Sequence, residues 1–221
     1  MIAALAWILF GITLAVRLMA GNGGLLAEEM LRAAPPETTG LPAEDYPGVG
    51  AMTAEYLTGK REAFRYVLTG DTGNAAASGT EVFQTHEAAH MADCRALIRL
   101  DTVVCAVCLG IAAALTAAGL SRRNGREPFL RGVLWGLRIF LCAAGVLLAW
   151  GLADFDGLFV TFHRAAFTNE GWLLNPRTDL LIRLMPESFF IRLGIIGAAW
   201  AMAVPLLLET GARILLKKEK Q

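Results

Sequence analysis

The three histidines of this sequence, His86, His90 and His163, carry most of its candidate chemistry. Imidazole is the side chain whose ordinary pKa lies nearest neutral pH, so it can both accept and release a proton there. Serine occurs at only three positions, and the sequence contains no G-x-S-x-G motif, P-loop or dinucleotide-binding fingerprint. The residues therefore favour acid–base catalysis by histidine over a serine nucleophile.

Two of the histidines form an H-E-x-x-H pattern, His86-Glu87-Ala88-Ala89-His90. On a helix these imidazoles lie one turn apart on one face and can bind zinc, with Glu87 as the general base. A zinc site needs a third protein ligand, and Ala96 fills the nearest usual position downstream. A later segment can supply that ligand from His163, Asp154 or Glu170. A membrane zinc metallopeptidase is therefore an alternative function.

The composition is apolar for a chain of 221 residues, with 55% hydrophobic and 18% charged residues and a mean hydropathy of +0.49. Soluble domains carry about a quarter charged residues. Twenty basic residues balance twenty acidic ones, which argues against both a nucleic-acid partner and intrinsic disorder. The clustering of the apolar residues in runs indicates a membrane protein.

Four apolar runs are long enough to cross a hydrocarbon core of about 30 Å. We expect transmembrane helices over residues 1–20, 102–120, 132–153 and 189–208. The pair Cys105 and Cys108 falls within the second run, where packing is its expected role. The first run has no preceding Lys or Arg and no A-x-A site after it, so we interpret it as an uncleaved anchor rather than a signal peptide.

The loop charges predict the orientation of the spans. The segment 121–131 carries four arginines and one acidic residue, and the tail 209–221 carries four basic and two acidic residues. Positively charged loops favour the cytoplasmic side, so both segments and both termini should lie inside. Segments 21–101 and 154–188 should then lie outside as a small α-rich cap. The predicted fold is an all-α membrane protein with four transmembrane helices and this extracytoplasmic cap.

Within the cap, the sequence predicts a short helix near residues 25–32 and a second helix over 49–61 that ends at Gly59. Residues 64–69 favour a short strand, with Gly70-Asp71 as its turn. Ser78 stands three residues before Glu81, which is the capping-box spacing at a helix start. This helix should pass through His90 and continue into the second span.

Three arginines interrupt the apolar runs. Arg138 lies close enough to the inner end of its helix to reach the headgroups. Arg17 and Arg192 lie near the outer ends of theirs. They can line a cavity beneath the outer segments, where a guanidinium can hold a headgroup or a carbonyl oxygen.

Three stretches of these outer segments resemble motifs of one family. Residues 87–93, with His90-Met91 and Asp93, resemble an H-M-x-D motif before a membrane helix. Residues 52–59, with Tyr56-Leu57, fit a Y-L-x-G element. A long second motif is matched by Phe162-His163, Phe167, Trp172, Asn175-Pro176, Asp179, Pro186-Glu187 and Phe189-Phe190. Together these stretches resemble the lipoprotein intramolecular transacylase (Lit) family of bacterial membrane enzymes.

This resemblance implies four membrane helices with an extracytoplasmic cap in the bacterial cell membrane. It also implies that the sn-2 acyl chain of a diacylglyceryl lipoprotein moves to the α-amine of its N-terminal cysteine, giving a lyso-form lipoprotein. The partners are then diacylglyceryl lipoproteins and membrane lipid, with no nucleic acid, no cofactor and no metal. The motif match makes His90 and His163 the catalytic residues, whereas His86 lies outside the motif.

The implied chemistry suits two imidazoles. An α-amine with a pKa near about 8 needs a base when it attacks, and the departing glycerol oxygen needs an acid. Either histidine can fill either role. Because no helix carries both, their rings must meet through the fold, and we expect them in one cavity within about 10 Å of each other.

Further residues can support such a site. Asp93 lies one turn after His90 and can orient a histidine or remain solvated, and the same alternatives hold for Asp179. The expected walls of the substrate cavity are Tyr56, Phe83, Phe162, Phe167 and Trp172. A non-catalytic membrane module, in which the histidines only pack, is the remaining alternative.

Overall fold

The computed structural model describes residues 1–69, 81–122 and 125–219, and the described residues are mostly helical. Their α-helices are α1 (Ile2–Ala20), α2 (Gly23–Ala33), α3 (Pro36–Thr39), α4 (Tyr46–Leu57), α5 (Thr85–Ser121), α6 (Arg126–Ala153), α7 (Phe155–Ala166), α8 (Leu180–Leu184), α9 (Glu187–Ala201) and α10 (Ala203–Lys218). A single 3-10 turn, Ala43–Asp45, precedes α4. No sheet forms among these residues, and one isolated β-bridge joins Val67 to Glu81.

Four stretches of helix are long and apolar enough to cross a membrane: α1, α5, α6, and α9 together with α10. This confirms the predicted class of an all-α membrane protein with four spans. The fourth stretch is divided at Met202. Pro205 has no N–H to donate to the carbonyl of Ala201, so the helix is interrupted at that point.

The chain divides into two compact units. We call the first the span unit; it comprises Met1–Val16, Asp101–Leu158 and Gly197–Gln221. We call the second the histidine unit; it comprises Arg17–Leu100 and Phe159–Ile196. All three histidines belong to this second unit, and its ranges overlap most of segments 21–101 and 154–188.

In the span unit, α1 packs against α6. Ala4 and Ile8 of α1 are buried against Val133 and Leu137 of α6, and α10 also packs on α6. The Trp7 indole N–H donates a hydrogen bond of 3.0 Å to the Thr116 hydroxyl, which ties α1 to α5. These contacts join helices that are far apart in sequence by apolar burial and by one polar pair.

In the histidine unit, α2 lies very close to α4. A Cβ placed on Gly50 would lie 2.4 Å from the carbonyl oxygen of Gly23, so glycine is required at this crossing. The core of the unit gathers residues of α2, α4, α8 and α9 with parts of the connecting chain, among them Met30, Tyr46, Met52, Phe64, Phe83, Leu184 and Phe189. This apolar core supports the helices that carry the histidines.

The structure corrects several predicted boundaries. The short helix near 25–32 is present as α2, but α4 ends at Leu57, before Gly59, whose φ is +82°. The predicted strand over 64–69 is wrong, because the described chain there makes only the isolated bridge at Val67. The turn at Gly70-Asp71 and the cap at Ser78 lie outside the described residues.

The start of the long helix also differs from the prediction. α5 begins at Thr85, not at Glu81. The Glu87 carboxylate accepts a hydrogen bond of 2.6 Å from the backbone N–H of Gln84, which is the reciprocal contact of a capping box, displaced from the expected position. From there α5 runs unbroken to Ser121, so the predicted continuity with the second span is confirmed.

Candidate active site

His90 is held on α5 ahead of the apolar run 102–120 and is 9% exposed. The neighbouring Glu87 is completely buried. Its second carboxylate oxygen accepts a hydrogen bond of 2.6 Å from the backbone N–H of Leu181, in the first turn of α8. Glu87 therefore satisfies two backbone donors at two helix starts and fixes the turn of α5 on which His90 lies.

His163 lies in the last turn of α7 and is 7% exposed. Its Nδ1 is 2.8 Å from the backbone carbonyl oxygen of Phe159, one turn earlier. A carbonyl oxygen only accepts, so Nδ1 carries a proton and donates it to this bond. In the neutral ring the lone pair is then on Nε2.

The fold brings the two imidazoles together. The ring centroids of His90 and His163 are 6.2 Å apart with an interplanar angle of 33°, within the separation expected from the sequence. Because His90 is on α5 and His163 on α7, tertiary packing creates this pair.

Aromatic rings enclose the pair. The His163 centroid is 4.0 Å from that of Phe159 and 5.1 Å from that of Trp172. Phe162 and Phe167 follow at 5.3 and 5.5 Å, and Phe167 also lies 5.2 Å from His90. These rings exclude water from the histidines, and three of them, Phe162, Phe167 and Trp172, are among the predicted cavity walls.

This environment disfavours the charged form of both rings. Burial lowers the pKa of His90 below 6.5, and the neighbouring His163 lowers it further, while Asp93 acts in the opposite direction. Burial also lowers the pKa of His163, although its bond to the Phe159 carbonyl partly opposes the shift. Both imidazoles are therefore mainly neutral near pH 7 and are available for proton transfer.

Cys94 is a further neighbour of His90, one turn later on α5. Its Sγ lies 3.6 Å from Nε2 of His90. Burial raises the pKa of this thiol to about 12, and the nearby Asp93 adds to the increase. On the other side of the His90 ring, Nδ1 is buried and has no hydrogen-bond partner within the part of the chain that the structure describes.

The two aspartates expected to orient a histidine have other hydrogen-bond partners. Asp93 accepts a bond of 2.9 Å from the Asn169 side chain, which ties α5 to the chain that follows α7. Asp179 is buried and lies 3.0 Å from Nε2 of His86. Neither carboxylate is bonded to His90 or His163 in these contacts, so Asp93 influences the pair through its charge alone.

The two arginines near the outer ends of the spans differ from each other. Arg192 donates from Nε to Glu29, and this glutamate is 1% exposed. Glu29 also accepts a bond of 2.9 Å from Arg32. Arg17 makes no ion pair within residues 1–69, 81–122 and 125–219. The Arg192 guanidinium is thus paired with a buried carboxylate, whereas from the sequence we expect it to line a cavity and hold a headgroup or a carbonyl oxygen.

Two of the predicted cavity walls lie in the core of the histidine unit. Tyr56 and Phe83 are each 5% exposed and are linked through Phe64, whose centroid is 5.4 Å from Tyr56 and 4.7 Å from Phe83. The Arg95 guanidinium covers the Tyr56 ring at 4.9 Å. Both aromatics therefore support the fold, and among the described residues their ring contacts do not involve His90 or His163.

The three residues of the H-E-x-x-H pattern have different partners in the structure. His86 pairs with Asp179, both oxygens of Glu87 accept backbone N–H bonds, and His90 faces His163. Among the described residues, no group of three His, Cys, Asp or Glu side chains is arranged to hold a metal ion. Each oxygen of Glu87 already accepts a backbone N–H, and Glu87 is completely buried.

Phe159 and Cys94 contact the histidine pair but were not assigned to the site from the sequence. Each stands four residues from a histidine on the same helix, Phe159 before His163 and Cys94 after His90. This spacing places side chains next to each other on a helix, so a search at that interval around each histidine would have found both residues.

Comparisons with known proteins identify the family of this chain. Residues 1–190 match the family model described as lipoprotein intramolecular transacylase Lit. The solved structure of the membrane integral Lit from Bacillus cereus is similar to this fold, with a TM-score of 0.76 and 20% identity over 99% of this chain and 94% of that chain. No curated protein matches the sequence.

Two variant structures of the Bacillus cereus protein are also similar. The variant in which a histidine is replaced by arginine has a TM-score of 0.74 and 19% identity, over 99% of this chain and 91% of that chain. The variant with alanine at that histidine has the same score and identity, over 99% and 92%. Because the family match covers residues 1–190 of 221, the chain belongs to the lipoprotein intramolecular transacylase (Lit) family of membrane acyltransferases.

Proposed function

We propose that this enzyme moves the sn-2 acyl chain of a diacylglyceryl lipoprotein onto the α-amine of the lipoprotein's N-terminal cysteine. The amine nitrogen attacks the ester carbonyl carbon, a C–N bond forms and the bond from that carbon to the glycerol oxygen breaks. One proton leaves the amine and one reaches the glycerol oxygen. The reaction needs no acyl-enzyme, in keeping with the scarcity of serine.

The observation that carries this proposal is the pair of buried imidazoles with centroids 6.2 Å apart. A base and an acid must each come within about 3 Å of their substrate atoms, and two rings at this spacing can reach the amine and the ester oxygen of one substrate. Their lowered pKa values keep a neutral ring available to accept the amine proton.

The surrounding aromatic rings suit the same reaction. Attack by the cysteine amine on its own glyceryl ester closes a medium-sized ring, which forms slowly in free solution because of strain and lost rotational freedom. A confined apolar site can fold the substrate into the reactive geometry and recover part of that cost. Phe162, Phe167 and Trp172 lie around His163 and supply such walls.

The proposed location is the bacterial cell membrane, with both termini in the cytoplasm and the histidine pair on the outer side. The positive charge of segments 121–131 and 209–221 supports this orientation.

Mass spectrometry of lipoprotein N-termini tests the proposal. Cells that express the wild-type chain should contain lyso-form lipoproteins, whereas His90→Ala and His163→Ala should each abolish them with the protein still present in the membrane. The matched control is His86→Ala, which should retain most activity because His86 is 53% exposed and pairs with Asp179. Lyso-form product from both variants at the wild-type level would refute histidine catalysis.

A further inference from the structure

We propose that Cys94 is a positioning residue that fixes the tautomer of His90, so that His90 presents an Nδ1–H donor to the ester oxygen of the substrate. This inference rests on the proposed acyl transfer and adds a division of labour between the two histidines. It assigns a function to a thiol that otherwise resembles a packing residue.

The first step is the geometry of the thiol. Cys94 follows His90 by one helical turn, and its Sγ lies 3.6 Å from Nε2, within the range of a hydrogen bond to sulfur. Because burial and Asp93 raise the pKa of Cys94 to about 12, the thiol keeps its proton at neutral pH. It can therefore donate a weak S–H hydrogen bond to Nε2.

The second step is the opposite side of the ring. A neutral imidazole that accepts at Nε2 carries its proton on Nδ1. That atom is buried and has no partner in the described part of the chain. A buried donor without a partner is rare in folded proteins and destabilises them. An oxygen of the bound substrate is the partner that this position lacks.

The third step is the comparison with His163, which carries its proton on the same nitrogen, Nδ1, but uses that nitrogen in a hydrogen bond within the protein. Its Nδ1–H donates to the Phe159 carbonyl, so its Nε2 has the free lone pair. The pair thus offers one acceptor, His163 Nε2, for the amine proton and one donor, His90 Nδ1, for the oxygen that gains negative charge. The other groups that act on His90 are Asp93, which favours its protonation, and His163, which opposes it.

The tautomers can be measured without any activity assay. The full chain contains three histidines, so ¹⁵N labelling of histidine alone gives a simple spectrum in detergent, and His86→Ala removes one set of signals. We expect wild-type His90 to be protonated at Nδ1 and His163 likewise. In Cys94→Ala, the His90 signals should shift toward a mixture of both tautomers. A wild-type His90 protonated mainly at Nε2 would overturn the inference.

The kinetic test uses the same variants. Cys94→Ala should slow the formation of lyso-form product by about 3- to 10-fold, as expected for one weak hydrogen bond, and Cys94→Ser should restore most of the rate because its hydroxyl can donate. Cys142→Ala, which removes an exposed thiol of α6, is the matched control and should leave the rate unchanged. A slower Cys94→Ala with an unchanged tautomer would overturn the inference in favour of packing.

These outcomes separate the inference from the function on which it rests. Absence of lyso-form product from the wild-type chain refutes the proposed acyl transfer, and an active His90→Ala refutes catalysis by His90, whatever the tautomer is. An inactive His90→Ala, combined with identical tautomer and rate in wild type and Cys94→Ala, refutes only the assignment of Cys94.

Discussion

Glu87 and Leu181 are joined by a hydrogen bond of 2.6 Å from the backbone N–H of Leu181 to a carboxylate oxygen of Glu87. The two residues are far apart in sequence, yet this bond ties the start of α8 to the first turn of α5. The other Glu87 oxygen accepts from the N–H of Gln84. The glutamate of the H-E-x-x-H pattern is thus a buried connection between two helices.

Replacement of Glu87 should therefore lower the thermal stability of the protein, because its main role is structural. Glu87→Ala leaves two backbone donors without partners, and each costs about 1–3 kcal/mol when it stays buried. We expect a clearly lower Tm in detergent for Glu87→Ala and a smaller loss for Glu87→Gln, which keeps one acceptor oxygen. Unchanged Tm together with bound zinc in the purified wild-type protein would instead support the zinc peptidase.

Acidification should reveal the contribution of Asp179. Burial opposes its ionisation, but bonds from Thr178 and His86 and from the backbone N–H of Asn175 outweigh this effect and lower its pKa from 3.8 to about 2. A lowered carboxyl pKa stabilises the fold above pH 3.8, and this stability is lost as the pH falls toward 2.

The comparison of wild type with Asp179→Asn measures this effect. Wild type should be more stable at neutral pH, and the difference in Tm should shrink steadily below pH 3.8. A difference that does not depend on pH would show that the carboxylate charge is not the stabilising feature.

His90 and His163 should both have pKa values below that of an ordinary histidine. Burial lowers the pKa of both rings, and His163 further lowers that of His90. We expect both midpoints, followed by NMR, below pH 6.5. His163→Ala should raise the His90 pKa, because it removes a neighbouring charge and admits water. The lowered pKa values also affect stability. Acidification through pH 6.5 should destabilise the fold, because the histidines of the unfolded chain bind protons more readily than those of the folded chain. A His90 midpoint above 6.5 in wild type would contradict the observed burial.

Glu29 and Glu28 are adjacent glutamates, one buried and one exposed, so variants of the two allow a controlled comparison of stability. Glu29 is buried beside Arg192 and Arg32, whereas the Glu28 side chain is 57% exposed. Glu29→Ala should destabilise the protein by about 1–3 kcal/mol, and Glu28→Ala should stay within about 0.5 kcal/mol of wild type. Thermal unfolding of both variants in one detergent makes the comparison, and equal effects would refute a special role for Glu29.

The orientation of the spans can be tested with reporter fusions. A reporter placed after Arg126 should be on the cytoplasmic side, and one placed after Asn169 should be outside. Equal signals from the two fusions would contradict the predicted orientation and the outer location of His163.

Several features of this protein follow from the sequence alone. The four spans come from apolar runs that are long enough to cross a membrane as helices, in which every backbone polar group is paired within the segment. The local sequence also predicted α2 and the continuity of α5, and the family resemblance pointed to His90 and His163 in two separate motifs. These features depend on residues that are neighbours along the chain or on one helix face.

The tertiary structure decided which side chains meet. α5 begins at Thr85 with Gln84 and Glu87 at its cap, and the buried Glu87 also accepts the Leu181 N–H. Asp179 pairs with His86 rather than with a histidine of the 6.2 Å pair. Tyr56 and Phe83 joined the core instead of the histidine pair. Each outcome depends on packing between segments distant in sequence, whose register no local pattern specifies.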